Sequence, residues 1–334
     1  MKKIRYGIIG FGNFAERAIA PAIWESPNSE LVAIQKRSLE AVKQKALLHK
    51  IPHAFDSVEK LAAHPDVDAV FIVSANSEHC RETLAAAQAG KHVLVEKPMA
   101  MNVRECEQMI SACQKAGVLL MVGHMVRLSP VIVRMKEIVR SGQIGAVSAI
   151  KSEFVYNARI SQRSWVYDQK IAGGGPLFDI GVHCLDTIRF LLDDEVVSVK
   201  SYLEPPPTST RTESTVSVQL RFSRGTLATI FCSYAPPIRR SFIEVVGTEG
   251  VLSVINFTRS SVTIPLTILM KDTNEDGKQT VEEIVVPDLY VDEVTRFSDS
   301  ILGNSNPAIP GRDGLENQRV LDEALRQAII STKP

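Results

Sequence analysis

The chain has no C-x-x-C pair, no apolar run near the about 18 residues that a membrane span needs, no repeat and no surplus of charge. Each absence excludes something. Lys and Arg number 38, as do Asp and Glu, so no general basic field is available for nucleic acid. The five cysteines (80, 106, 113, 184 and 232) are odd in number and scattered. They read as reduced thiols of a cytoplasmic protein, with neither a disulfide frame nor a zinc site. The start, MKKIRYGIIGFG, has the charged opening of a signal peptide, but its apolar run is short and broken by glycine. What remains is an ordinary globular composition over 334 residues, enough for two domains with a core each.

The stretch KHVLVEKPMA, residues 91–100, organises the rest. Val93, Leu94 and Val95 suit a strand buried on both faces, and the run stops at Glu96, Lys97 and Pro98. Proline cannot continue the ladder, so Lys97 falls at the strand's carboxyl edge, where open α/β sheets bind ligands. An amine fixed there is a candidate acid/base group; alone, it would be only a lysine reaching water.

Upstream, the strand Ile4 to Ile9 runs into Gly10-Phe11-Gly12-Asn13-Phe14-Ala15, the G-x-G-x-x-A form of the dinucleotide fingerprint. The first glycine permits the tight turn, the second admits a pyrophosphate, and the small third residue lets helix and strand pack closely. The following helix offers free N–H groups to phosphate. A second strand, Leu31 to Ile34, ends in Gln35-Lys36-Arg37-Ser38, where an NAD site usually carries an acid. Two cations and a hydroxyl suit a 2′-phosphate instead, so NADP is expected, with NAD possible; Ser38 also reads as the N-cap of the next helix. Ser74, Ala75, Asn76 and His79 lie in or beside a polar loop after the strand Ala69 to Val73, on the cofactor side, with His79 reading more as a structural group. Asn102 and Glu105 suit a capping box.

Strands alternate with helices to residue 122 and predict a doubly wound parallel sheet of the Rossmann type over 1–123. After Gly123 comes a helix to about Arg140. Strand-like segments follow at 146–157, 196–203, 214–223, 226–234, 241–247, 250–256 and 261–270. These predict a second domain, 124–334, built on a mainly antiparallel open sheet. Helices 183–192, 290–302 and 312–330 would cover one face. Leu227, Thr229 and Phe231 alternate with Ala228, Ile230 and Cys232, so both faces of that strand need cover. A homodimer or homotetramer through this sheet is expected.

In AGGGPLFDIGVHCLDTIRFLL, residues 172–192, Asp179 and His183 are four apart and can share a helical face. A carboxylate beside an imidazole supports a proton relay; a plain surface pair is the bland reading. A metal would need a third ligand, for which only His124 offers itself, and no metal site is expected.

Together, the GFGNFA turn, the EKP strand end, the GHMVR segment and GGG-x-x-x-D-x-G-x-H resemble the glucose–fructose oxidoreductase/inositol dehydrogenase/rhizopine-catabolism (Gfo/Idh/MocA) family. The likeness runs nearly end to end and includes the GTEG turn and the helix start at Tyr290-Val291-Asp292-Glu293. The resemblance implies that Lys97, before a cis Pro98, is the catalytic lysine. Asp179 and His183 would be its partners, with His183 binding or deprotonating a substrate hydroxyl. It places Glu96, Trp165 and Tyr290 with the cofactor, and His124, Arg127, Tyr156 and Trp165 toward the substrate. The chain departs from the commoner pattern at Lys36, and carries His124 where many relatives have asparagine. The implied activity is hydride exchange between nicotinamide and a secondary alcohol of a sugar or polyol. The family also holds glycosidases acting by transient oxidation and elimination, and non-catalytic NADP(H)-binding sensors.

Overall fold

The computed structural model describes residues 2–161, 163–273 and 276–329, in two compact units. The first is built on strands β1 (Ile4–Ile9), β2 (Ser29–Gln35), β3 (His53–Phe55), β4 (Ala69–Ile72), β5 (His92–Glu96) and β6 (Leu120–Gly123). All pair in parallel in the order β3-β2-β1-β4-β5-β6. The order reverses between β1 and β4, so the turn after β1 opens at a topological switch point. The apolar runs in β4 and β5 are buried throughout, as a two-sided sheet requires. β3 is an addition to the sequence reading: His53-Ala54-Phe55 has no apolar run and is held at the sheet edge by β2. Local chemistry sets the helix ends. Ser38 caps Leu39–His49 through the Ala41 amide (3.3 Å), and Asn102 caps Val103–Ala116 through Glu105 (3.0 Å). The Glu105 carboxylate reaches back to the Met101 amide (3.1 Å).

The compact units divide the chain differently from the expected boundary. The division falls after Met125, and residues 290–318 belong to the first unit. The helix Leu289–Leu302, expected over the second sheet, instead packs in the first unit. Ser298 meets the buried Tyr6 hydroxyl (2.8 Å), and Asn28 donates to the Thr295 carbonyl (3.0 Å) and Asp299 (2.7 Å). The Val122 amide donates to the Ile309 carbonyl (3.0 Å). The helix Gly311–Arg326 starts close against Leu120, Met99 and Val122, and crosses the division after Gln318. An amphipathic pattern shows which residues point inward, not which sheet they meet.

The second unit carries β7 (Val147–Val155), β8 (Val196–Glu204), β9 (Thr215–Phe222), β10 (Leu227–Ser233), β11 (Arg240–Gly247), β12 (Gly250–Ile255), β13 (Val262–Met270) and β14 (Lys278–Val286). Their order is β14-β13-β12-β11-β7-β10-β9-β8, antiparallel except where β10 lies parallel to β7. The turns at 223–225 and 248–250 join antiparallel neighbours. β14 was not among the expected strands; KQTVEEIVV is charged and largely exposed, and pairs with β13 at the sheet edge. Helices Pro130–Ser141 and Val182–Leu192 pack on one face. On the other, Leu227 stays 57% and Phe231 39% exposed while Ala228, Ile230 and Cys232 are buried.

Candidate active site

In the first unit the glycine turn is shaped by what surrounds it. Gly10 has φ +84°, and a Cβ there would come within 2.8 Å of the Ser74 backbone, so β1 and the end of β4 meet with no room for a side chain. Gln35, at the end of β2, accepts the Gly10 amide on its side chain (3.2 Å) and the Phe11 amide on its carbonyl (2.9 Å). Around Gly12 the reverse holds: a Cβ would meet only the Gly10 carbonyl, at 3.8 Å, leaving the open approach a pyrophosphate needs. Ala15 is buried at the close-packing position, in a wide helical turn (Ala15–Ile19) that runs into Ala20–Glu25. These residues fit a dinucleotide. Asn13 and Phe14 are exposed beside the turn, and the Tyr290 ring lies edge-on to Phe14 at 5.6 Å. The Phe11 side chain is buried, so only its backbone can face a ligand. After β2, Lys36 is half-buried and Arg37 and Ser38 are exposed.

The lysine edge adjoins that turn through His79. This buried imidazole places Nδ1 3.0 Å from the Pro98 carbonyl and Nε2 3.3 Å from the Ser74 carbonyl, joining the ends of β4 and β5. Burial drops its pKa to about 4, so the ring is neutral at ordinary pH and its single N–H donates to one of the two carbonyls at a time. Ser74 in turn donates to Glu82 (2.5 Å), a carboxyl that burial raises to about 7. Ala75 is half-buried in the same loop, and the Asn76 side chain is buried. Lys97 is half-exposed, its peptide bond to Pro98 is cis, and its amide donates to the Glu96 carboxylate (3.2 Å). Glu293 is fully buried near Glu96, and burial with that neighbouring charge holds its carboxyl well above the usual range. His124 is also buried, with Nε2 3.0 Å from the Asn317 amide, which ties β6 to the returning helix.

In the second unit the three glycines are answered by Glu213. Its Oε1 accepts the amides of Gly175 (3.0 Å) and Leu177 (3.1 Å), where the helical segment begins. A Cβ on Gly175 would lie 2.1 Å from the Glu213 carbonyl, and one on Gly174 2.4 Å from the Phe178 ring. Asp179 follows in a π-helical turn, Leu177–Gly181, that leads into Val182–Leu192. Its carboxylate accepts from the Tyr156 hydroxyl (2.7 Å), the Tyr234 hydroxyl (3.2 Å) and Arg163 (Nη2 2.9 Å, Nη1 3.3 Å). Arg163 also donates to Tyr156 Oη (2.6 Å). The Asp179 charge raises the Arg163 pKa, and burial together with that charge raises both tyrosines. Such a carboxylate orients and accepts; with four donor contacts it is poorly placed to take a proton. His183 is buried, its ring 6.2 Å from that of Phe154.

Arg127, expected toward the substrate, is buried. Its guanidinium grips Asp186 in a buried fork (2.6 and 2.7 Å) and lies 5.7 Å from the Phe190 ring. Two of its five donors are thereby fixed inside the unit. Tyr156 does reach the Asp179 cluster, and Trp165 is half-buried with Arg163 over its ring (5.9 Å). Sequence reasoning missed Arg163, Tyr234, Glu213 and Gln35 as site-building residues. Tyr234 follows the inward position Cys232 on β10, a usable signal; a lone Arg in a loop and a lone buried Glu leave none.

Comparison with known proteins follows the same division. Residues 4–124 match the family model described as "Oxidoreductase family, NAD-binding Rossmann fold", and residues 132–253 match the GFO/IDH/MocA C-terminal domain. A 1,5-anhydro-D-fructose reductase of Ensifer adhaerens is 30% identical over 312 residues, 93% of this chain and 92% of that one. A trans-1,2-dihydrobenzene-1,2-diol dehydrogenase of Danio rerio is 30% identical over 252 residues, 75% of this chain and 74% of that one. Among solved structures, an aldose–aldose oxidoreductase from Caulobacter crescentus, complexed with glycerol, superposes with a TM-score of 0.88. It is 30% identical, with 98% of each chain covered.

Proposed function

Because the chain belongs to the GFO/IDH/MocA family of nicotinamide-dependent oxidoreductases acting on CH–OH groups, we propose that it is a sugar or polyol dehydrogenase/reductase that prefers NADP(H). The observation that carries this reading is the carboxyl edge of the first sheet, where the open approach at Gly12 and the amine of Lys97 are joined through His79. When bound, the nicotinamide supplies or accepts the hydride. The chain's own residues handle the proton. Oxidation of a secondary alcohol needs a base for the hydroxyl proton, and reduction needs an acid at the carbonyl oxygen; Lys97 serves both directions. His183 binds a substrate hydroxyl, and the fixed charge of Asp179 orients the hydroxyls around it. Tyr156 and Trp165 line the substrate side, and Tyr290 and Phe14 flank the cofactor. The substrate class is favoured by the relatives' names, an anhydrofructose reductase and an aldose oxidoreductase.

Preference for NADP rests on Lys36, Arg37 and Ser38 after β2, with no acid to repel a 2′-phosphate, and on Gln35 being engaged with the glycine turn. The exposed sheet face of the second unit supports a homodimer or homotetramer. A panel of keto- and aldo-sugars is incubated with protein and NADPH or NADH while nicotinamide absorbance is followed. Net oxidation of NADPH by at least one carbonyl sugar is expected. Release of a glycosidic leaving group with no net change in absorbance would assign elimination chemistry instead. Binding without either would leave a sensor.

A further inference from the structure

At the opposite edge of the first sheet, where the parallel strands begin, three metal-type ligands converge from separate segments. His53 opens β3, His64 follows the helix Val58–Ala62, and Asp66 lies in the loop before β4. His53 Nε2 is 3.3 Å and His64 Nδ1 4.0 Å from the same oxygen, Asp66 Oδ2. One donor atom from each residue lies within 4.8 Å of the other two, and the imidazole rings are 4.1 Å apart. Ligands sharing an ion at about 2.0–2.2 Å sit roughly 3–4 Å from one another, so only a small closure is needed.

The surroundings orient the set. Arg5 holds the other Asp66 oxygen, Oδ1 (2.8 Å), and is itself clamped by Asp68 (Nε 3.0 Å, Nη2 2.9 Å), which turns Oδ2 to the imidazoles. A hydrogen-bonded carboxylate of this kind is what metal sites use to fix a ligand. The Asp66 amide donates to His64 Nδ1 (3.3 Å), a long bond that an ion bound at that nitrogen would replace. The Phe55 ring, 5.4 Å away, packs on His64. Side-chain exposures of 32%, 23% and 51% leave the cluster open to water for the remaining coordination positions.

We propose that His53, His64 and Asp66 form a binding site for a late first-row transition dication, of the zinc, nickel or copper class. Two imidazoles and one carboxylate suit that class, whereas magnesium and calcium demand oxygen. The ion clips edge strand β3 to the loop entering β4, and so stabilises the fold by mass action. The proposal does not rest on the dehydrogenase reading, and its test uses no turnover.

Zinc is titrated calorimetrically into chelator-treated full-length protein, against His53→Gln, His64→Gln and the double variant, with thermal midpoints measured beside it. The expected result is one ion per chain in the micromolar range and a raised midpoint that EDTA reverses. Each single variant should bind at least about tenfold more weakly, and excess magnesium should not compete. Equal zinc binding by wild type and double variant, or no saturable binding by wild type, overturns the site. Copper loaded into the wild type gives a second reading that no folding defect can confuse. Nitrogen couplings from two imidazoles are expected in its paramagnetic resonance spectrum, and their absence also overturns the site.

Discussion

At the scale of single residues, the proposal turns on an amine and a guanidinium. Lys97→Met removes the proton-transfer group while leaving the glycine turn intact, so turnover should fall at least about 10²-fold with cofactor affinity retained. Steady-state rates and a nicotinamide fluorescence titration check it; unchanged turnover would refute the role. Arg37 stands exposed after β2. A charge-assisted bond to a 2′-phosphate is worth about 1.5–3 kcal/mol. Arg37→Ala should therefore weaken NADPH roughly ten- to a hundredfold and leave NADH nearly unchanged, and equal loss for both would count against it. Behind these groups sit two buried ones with opposite pH signatures. Folding lowers the His79 pKa from 6.5 to about 4, so its neutral state costs stability as pH falls through that window. Folding raises Glu82 from 4.5 to about 7, so the unfolded chain gives up a proton that the folded chain keeps, and stability falls as pH rises between those values. Glu82→Gln should thus gain on wild type across that rise, by up to about 3 kcal/mol, in denaturant midpoints taken on either side of it. The caps at Ser38 and Asn102 and the strand end at Lys97 were legible because each depends on its own few neighbours in sequence. The Asp179 cluster was half legible. Its carboxylate stood out beside His183, but Arg163 and Tyr234 reach it from distant segments, and spacing carries no trace of that.

Elements show a related limit, best seen in the three glycines before Asp179. A run of glycines can serve backbone freedom or side-chain space, and of these three only Gly173 has a positive φ (+76°). Gly174 and Gly175 are needed for space, because the Phe178 ring and the Glu213 backbone fill the places where side chains would go. The contrast can be measured. Gly175→Ala would push a Cβ into a carbonyl that cannot swing aside, and should cost at least about 3 kcal/mol, with turnover falling as Asp179 and His183 are displaced. Gly90→Ala, at φ +73° with nothing within 4 Å, meets only the backbone penalty of about 1 kcal/mol. Comparable losses in urea unfolding would show that the crowding at Gly175 is relieved elsewhere. Periodicity located nearly every strand, yet passed over β3 and β14, each an edge strand without an apolar alternation of its own. It also gave the helix Leu289–Leu302 to the second sheet. Val294 and Phe297 are buried as the pattern implies, but it is Ser298 on Tyr6 and Thr295 on Asn28 that fix the partner.

At the scale of the assembly, what matters is the uncovered face of the eight-stranded sheet. Strand register brings Tyr202, Ser217, Phe231, Glu153, Phe242 and Ile255 into one row across β8, β9, β10, β7, β11 and β12. The neighbouring row holds Lys200, Gln219, Thr229, Lys151, Glu244 and Ser253, with Lys151 paired to Glu244 at 3.2 Å. Such a surface mixes large apolar side chains, among them Tyr202 at 60% and Ile255 at 51% exposure, with charges already paired across strands. Pairing within the sheet leaves few charges that must stay in water, so a second copy can cover the aromatic and aliphatic rows at small desolvation cost. A two-fold arrangement would set each row against itself or its neighbour, and Leu227 and Phe231 on β10 lie near the middle of the strand order. Leu227→Lys/Phe231→Lys would place two unpaired cations on each copy, facing two more, while leaving the buried Ala228, Ile230 and Cys232 untouched. Sedimentation at micromolar concentration should show wild type as a dimer or tetramer and the double variant as a monomer with unchanged circular dichroism. A wild type that already sediments as a monomer would mean that this face meets only water.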